Sequence, residues 1–160
     1  MSRRAEALAQ RLEQGAAALA SFVETMTDAE WRIKVPPDGR PAGVIVHHVA
    51  DVYPLEVQLA QKLASGEPIA GVTYADVARM NAGHAEQNAG VTRAEALEHL
   101  RKNSREAAKA VRAFSDEELD RAATVSLNFD APLTCQFFVE DHALRHSYHH
   151  LGRIRAALGR

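Results

Sequence analysis

Apolar residues recur every three to four positions along most of the chain, which is the spacing of amphipathic helices. This pattern predicts long helices over residues 4–26, 41–64, 92–114 and 132–158. The third begins with a Thr-x-x-Glu capping box, and prolines at the start of the second and fourth suit a first helical turn. Long helices joined by short connections predict an all-α fold, an antiparallel four-helix bundle that spans residues 1–160 as a single domain.

Shorter segments lie between these helices. Residues 27–31 end the first helix or form a short capped turn, and residues 35–39 predict a loop because they contain two prolines and a glycine. Residues 74–88 predict a short helix or an irregular excursion. A second capping box predicts a further helical turn over residues 115–119, and alternating apolar residues predict a short extended piece over residues 124–130.

The second helix combines an apolar stripe with one histidine and one internal proline. Pro54 cannot donate a hydrogen bond to the carbonyl of Ala50, which predicts a kink one to two turns from His48. The stripe expected to face the core consists of Val44, His48, Val52, Leu55, Leu59 and Leu63. A histidine on such a stripe is a candidate for a role inside the bundle.

The composition is that of a globular protein without a nucleic-acid footprint. Hydrophobic residues make up 46% and charged residues 25%, and the net charge is −2 with neutral histidines. Lys and Arg are dispersed, so we expect no nucleic-acid partner. No apolar run approaches the roughly 18 residues that cross a bilayer, and the N-terminus lacks an apolar signal core, so we expect no membrane association. A single cysteine, Cys135, fits a reducing compartment, and we expect a cytoplasmic protein.

Histidine is the unusual feature of the composition, with eight residues in all and four of them between His142 and His150. His142 and His146 are four residues apart, as are His146 and His150, so each pair can be neighbours on one face of the last helix. Two such imidazoles can hold one metal ion, with zinc–nitrogen bonds of about 2.0–2.1 Å. A third ligand would come from another helix, where His48 lies on the inward stripe. Spacing alone leaves three interpretations open: a metal site, a surface histidine patch or a hydrogen-bonded core cluster.

Two segments resemble the DinB/YfiT-like proteins. His48-Val-Ala-Asp51 resembles the H-x-A-[DE] segment on the family's second helix, and residues 142–154 resemble the H-x3-H-x3-H-x-x-Q-I segment on its last helix. Chain length and helix order also fit over nearly the whole sequence. The resemblance implies the family's bundle fold and a metal site with one histidine from the second helix and two from the last. Transferred to this sequence, these ligands are His48, His146 and His150.

The remaining histidines are expected to have lesser roles. His47 points about 100° away from its neighbour on the helix and cannot share its position. His142 is the best substitute ligand, or a partner of the ligands. We expect His84 and His99 to be hydrogen-bonded core residues or exposed surface residues. Arg153 departs from the family pattern, which often has glutamine at that point.

An open site with three histidines suits catalysis, because a structural zinc site would be closed by four protein ligands. Zinc and nickel are the expected ions and iron and manganese are alternatives, since imidazole selects weakly among them. The resemblance implies a metal-dependent thiol S-transferase or thiol-dependent isomerase with a low-molecular-weight thiol as co-substrate. The alternatives are a metal-dependent hydrolase that uses a metal-bound hydroxide, and a non-enzymatic metal-binding or stress-related protein. The resemblance also implies a small-molecule substrate and allows a homodimer.

Two charged residues are candidates for catalytic roles. Asp51 could orient a metal-bound water, hydrogen-bond a ligand or act as a general base, or it could be a solvated carboxylate. Arg153 could bind an anionic group of the thiol or substrate, or it could form a salt bridge with an acid such as Glu56. Cys135 lies about 16 Å along a helix from His146 and is expected to be a small buried hydrophobe.

Overall fold

The computed structural model describes residues 2–160, and four long helices form its frame. In chain order its elements are α1 (Arg3–Glu24), α2 (Asp28–Trp31), β1 (Lys34–Val35), β2 (Arg40–Pro41), α3 (Ala42–Ala64), α4 (Tyr74–Gln87), α5 (Arg93–Arg112), α6 (Asp116–Asp120), β3 (Ala122–Val125), β4 (Ala131–Thr134), α7 (Cys135–Phe138) and α8 (Arg145–Leu158). A 3-10 turn (Ser126–Asn128) follows β3, and a π-helical segment (Val139–Leu144) joins α7 to α8. The strands form two antiparallel ribbons, β1–β2 and β3–β4.

Side-chain caps fix where several helices begin. Capping boxes open α5 at Thr92 and α6 at Ser115, as the sequence predicts, and two more open α2 at Thr27 and α4 at Thr73. In each box the cap hydroxyl accepts from a helical N–H, and an acidic side chain accepts from the N–H of the cap residue. A cap of this kind stabilises a helix by about 1 kcal/mol.

The long helices α1 and α3 each pack against both α5 and α8. α1 and α5 run in opposite directions, because Arg112 at the end of α5 donates to Glu6 near the start of α1. α3 and α5 run in the same direction, since His47 and His99, each early in its helix, stack on one another. The connection that carries α4 returns the chain between this parallel pair. The predicted four-helix bundle is confirmed, but it is not antiparallel throughout, because the long connection that carries α4 lets α3 and α5 run in the same direction. No helix within residues 2–160 is long and apolar enough to span a membrane.

The core is filled by side chains from all of the long helices. Its largest fully buried members include Tyr53, Phe138, Leu8, Leu12, Leu19, Ile45, Leu63, Leu100 and Ile154. Full burial of one such side chain contributes about 1.5–3 kcal/mol relative to exposure. This packing fixes the backbones of α3 and α8, the two helices that carry the candidate ligands.

The last helical region begins later than Pro132, where the sequence pattern placed its start. Pro132 lies in β4, and the helix starts at Cys135, where the Thr134 hydroxyl accepts from the N–H of Phe137. The prediction was wrong because a proline also suits a strand at a sheet edge, where its missing N–H can face solvent. The extended piece predicted over residues 124–130 is the end of β3 followed by the 3-10 turn.

The buried face of α3 lies to one side of the predicted stripe. Leu55 is 38% exposed, and Val52 and Leu59 are only half-buried, whereas Tyr53 and Val57 are buried. Apolar residues occur on more than one side of this helix, so periodicity alone could not select the side that packs into the core. The helix continues through its internal proline.

Candidate metal centre

The helices α3 and α8 bring three histidines together across the bundle. Each of His48, His146 and His150 offers a ring nitrogen, and these nitrogens lie within 4.8 Å of one another. The Nε2 atoms of His48 and His146 are 3.2 Å apart. His48 is 6% exposed and His150 is 5% exposed, so the cluster is largely withdrawn from solvent. We call these three residues the histidine triad.

The spacing within α8 explains why two of the triad rings are neighbours. His146 and His150 lie one helical turn apart, and their ring centroids are 4.7 Å apart. His142 does not extend this series, because it belongs to the π-helical segment, whose wider turn changes the direction of its side chain. Its ring instead stacks on Phe138 at 4.2 Å. The suggestion that His142 could replace a ligand therefore lacks support from this arrangement.

A buried carboxylate orients one ring of the triad. The Nδ1–H of His146 donates to Oε1 of Glu56 over 2.6 Å, and Glu56 is only 7% exposed. This bond leaves Nε2 of His146 free to act as a ligand and turns it toward His48. Metal-binding histidines commonly donate their other ring N–H to a carboxylate in this way. Sequence reasoning considered Glu56 only as an ion-pair partner of Arg153, although an acid within a buried helical face is a signal that could have revealed it.

Arg153 links the triad to the β1–β2 turn. Its Nε and Nη2 donate to the carbonyl oxygen of Pro36 over 3.2 and 2.8 Å, and its Nη2 lies 3.2 Å from Oδ1 of Asp38. Its Nη1 lies 3.3 Å from Nδ1 of His150. Because a guanidinium group only donates, Nδ1 of His150 accepts this bond. A metal ion at Nδ1 would displace this contact, and one at Nε2 would require the ring proton to move to Nδ1, which would displace it as well.

A second arginine lies close to the triad and was not found by sequence reasoning. Arg40 donates to Oδ2 of Asp38 from both Nε and Nη2, at 2.9 and 2.8 Å, and it is only 8% exposed. Its Nη1 atom is buried and has no hydrogen-bond partner within residues 2–160. Asp38 and Arg40 line a cavity of about 610 Å³, and α4 forms its opposite wall with residues that include Asn81 and Glu86. The cavity thus has a buried arginine in its wall.

Burial keeps two triad rings uncharged. The pKa of His48 is lowered to about 3, chiefly because burial penalises the charged ring, with further contributions from His146 and Arg40. The pKa of His150 is also lowered strongly, again first by burial and then by the neighbouring histidines. Neutral imidazole is the form that binds a metal ion, so the environment of these rings favours coordination.

Metal-free protein is expected to lose stability on acidification. The pKa of His48 is about 3 in the folded chain and its ordinary value is 6.5, so between these pH values the unfolded chain binds more protons. The free energy of unfolding should therefore fall as the pH is lowered through this window, and His150 acts in the same direction. Urea denaturation in a chelator, from about pH 7.5 to about pH 5, measures this slope. His48→Gln should flatten it, and a parent midpoint that does not change with pH would contradict the expectation.

Asp51 lies with other histidines and not with the triad. Its Oδ1 is 3.2 Å from Nε2 of His99, and its Oδ2 is 4.0 Å from Nε2 of His84. The catalytic role expected for Asp51 stays a prediction. Cys135 is buried as expected, with Sγ 3.4 Å from the carbonyl oxygen of Ala60, and burial raises the pKa of its thiol to about 12.

Comparison with known proteins places this arrangement in a family. The family model of the DinB superfamily matches residues 11–154. The chain belongs to the DinB superfamily. The family recognised from its two histidine segments is thus confirmed. No curated protein matches this DinB-superfamily chain at a significant level.

A solved structure supports the fold of this DinB-superfamily protein. YfiT from Bacillus subtilis superposes with a TM-score of 0.76 over 98% of this chain and 87% of its own, at 19% sequence identity. It is described as a probable metal-dependent hydrolase with an unusual four-helix bundle topology. At this identity the likeness establishes the shared fold, and the chemistry must be argued from the residues of this chain.

Proposed function

We propose that this protein is a divalent-metal-dependent enzyme whose ion is held by His48, His146 and His150. The observation that carries the proposal is the 3.2 Å separation of the Nε2 atoms of His48 and His146. Two zinc–nitrogen bonds of about 2.0–2.1 Å at a tetrahedral angle separate their nitrogens by about 3.3 Å. Three imidazoles would leave coordination positions open, as in catalytic sites. Zinc or nickel is the expected ion, with iron or manganese as alternatives.

Thiol S-transfer or thiol-dependent isomerisation of a small molecule is the leading reaction. A divalent ion bound at the triad would supply Lewis acidity, which lowers the pKa of a thiol or water that reaches it. In S-transfer the thiol sulfur forms a bond to an electrophilic carbon, the leaving group departs with the electron pair of the broken bond, and the thiol proton passes to a base. The cavity of about 610 Å³ supports this reading, because it has room for a bulky thiol and is lined by Arg40, whose charge acts on His48.

The surrounding residues have distinct roles in this proposal. Glu56 holds the ring of His146 through its 2.6 Å bond. All three guanidinium nitrogens of Arg153 are engaged, so we assign it the anchoring of the β1–β2 turn to α8 through Pro36 and assign anion binding to Arg40, which lines the cavity. Asp51 would take part in the reaction at the triad only if its side chain turned away from His99.

Hydrolysis is the second candidate, with water in place of the thiol. The description of YfiT as a probable metal-dependent hydrolase favours it. The buried carboxylate Glu56 also suits it, because its Oε2 atom has no partner within residues 2–160 and can still accept a hydrogen bond. Asp51 is the other carboxylate expected to assist this reaction.

A paired assay distinguishes the two reactions. Protein loaded with zinc or nickel is incubated with a haloarene or epoxide electrophile and a panel of low-molecular-weight thiols, while loss of thiol is followed. A model ester is tested without thiol. We expect thiol consumption that is lost in His146→Ala and kept in His149→Ala, which changes an exposed histidine of the same helix. Ester hydrolysis without thiol would favour the second candidate, and fully loaded protein that is inactive in both assays would contradict both.

A further inference from the structure

A second group of metal-binding side chains lies beside the triad. His47 and Asp51 come from α3, His84 from α4 and His99 from α5, and we call these four residues the second cluster. Sequence reasoning treated them separately, with His84 and His99 as core or surface residues, His47 as unable to share the position of His48, and Asp51 as a catalytic candidate. Three helices converge on this point although they are far apart in sequence.

Direct contacts hold the second cluster together. The Nδ1 atom of His47 lies 2.8 Å from Nε2 of His84, and their rings stack with centroids 5.0 Å apart. The other side of the His47 ring stacks on His99 at 4.9 Å. Asp51 lies one turn after His47 on α3 and contacts His99 at 3.2 Å. The cluster therefore contains three imidazoles and one carboxylate, a donor set that suits zinc, nickel or copper.

The hydrogen bonding of the second cluster is incomplete within the described chain. The side chain of His84 is 10% exposed, and its Nδ1 atom is buried without a partner among residues 2–160. An unpaired buried polar group costs about 1–3 kcal/mol. α4 has no buried residue, and His84 is the side chain through which it contacts the ring of His47. A metal ion at Nε2 of His84 would be held by α3 and α4 together.

We infer that the second cluster binds a second divalent metal ion through His47, His84 and Asp51, with His99 as a further donor. His47 and His99 line a cavity of about 570 Å³ together with Glu95, so solvent can reach this side of the second cluster. Asp51 and the nearby Glu95 and Glu98 give it negative charge, against Lys102 in the same wall and Arg40 near His84. This ion is separate from the one proposed for the triad, although the ring of His84 meets that of His48 edge-on at 5.6 Å.

The second ion binds more weakly than the first. The nitrogens of His47 and His84 are 2.8 Å apart and must separate toward the roughly 3.3 Å of two tetrahedral zinc ligands. The Oδ2 atom of Asp51 is 4.0 Å from His84, so its side chain, which is 51% exposed, must turn away from His99. The triad needs less rearrangement, because the Nε2 atoms of His48 and His146 are already 3.2 Å apart. Reorganisation of ligands reduces affinity, which sets the order in which the two sites fill.

Calorimetric titration of the full, chelator-treated chain with Zn²⁺ tests this inference. We expect two equivalents to bind, one tightly and one more weakly. His84→Ala should remove the weaker event and leave the tighter one, and His146→Ala should do the reverse. Asp51→Asn, which keeps the shape of the side chain, should weaken the second event by more than about ten-fold. If His84→Ala does not fold, Asp51→Asn still tests whether the second cluster binds the ion.

The control is His149→Ala, which removes an exposed histidine and should keep both events. A single equivalent that disappears in His146→Ala and is unaffected by His84→Ala or Asp51→Asn would overturn the second site and leave the triad intact. A single equivalent that disappears in His84→Ala and survives in His146→Ala would support the second site and contradict the triad. The two proposals therefore fail separately.

Discussion

His146→Ala should reduce tightly bound metal in the purified, untagged protein from about one equivalent to almost none, because two histidines hold an ion poorly. His146 is the member of the triad closest to His48, with 3.2 Å between their Nε2 atoms, and it is the ring that Glu56 holds. Its loss removes both a ligand and the side chain that pairs with a buried carboxylate. Elemental analysis after extensive dialysis measures the effect.

His149→Ala is the matched control for this experiment. It removes a histidine from the same helix, three positions further on, but this side chain is exposed and should leave metal content unchanged. A His48→Ala/His146→Ala/His150→Ala triple variant gives the fully disabled reference. Full metal content in His146→Ala, or none in the parent after reconstitution with each candidate ion, would rule out the triad as the metal centre.

Glu56→Gln should weaken metal binding at the triad about 10–100-fold, which is the usual effect of losing a carboxylate partner of a histidine ligand. Glutamine keeps the size of the buried side chain but has no negative charge, so it favours the Nδ1–H tautomer of His146 less strongly. Competition with a chelator of known affinity measures the change. The parent and the variant should have similar helical content by circular dichroism.

Glu67→Gln provides the comparison for this second variant. Glu67 is exposed in the connection just after α3, so the same chemical change there should leave affinity for the ion unchanged. Equal affinity in Glu56→Gln and the parent would show that the bond between His146 and Glu56 has no role in coordination. A loss of metal in both variants would show that the net charge of the protein, and not the bond to His146, controls affinity for the ion.

The helical frame was predictable because local sequence determines it. The capping boxes at Thr92 and Ser115 act within four residues, so the starts of α5 and α6 could be predicted without tertiary information. The start of the last helix could not, because Pro132 is equally compatible with an edge strand, and only its pairing with β3 selects that state.

The candidate site was predictable in part. Four-residue spacing places His146 and His150 together in any regular helix, but it also groups His142 with them, and the π-helical segment that separates it has no clear sequence signal. Glu56 contacts His146, and the charge of Arg40 acts on His48, only because the fold brings distant segments together, so local periodicity carries no information about them. The second cluster depends on the packing of three helices for the same reason.

The triad joins parts of the chain that are far apart in sequence. His48 and His146 are 98 positions apart, so a ligand bound by both would act as a reversible cross-link that closes a very long loop. Closing a loop of this length in an unfolded chain has a large entropic cost, whereas the folded bundle already holds the two histidines together. An ion that binds only the folded chain would accordingly slow its global opening, and proteases that cut the open form would encounter it less often. Metal supply in the cell would then set the lifetime of this protein as well as its activity.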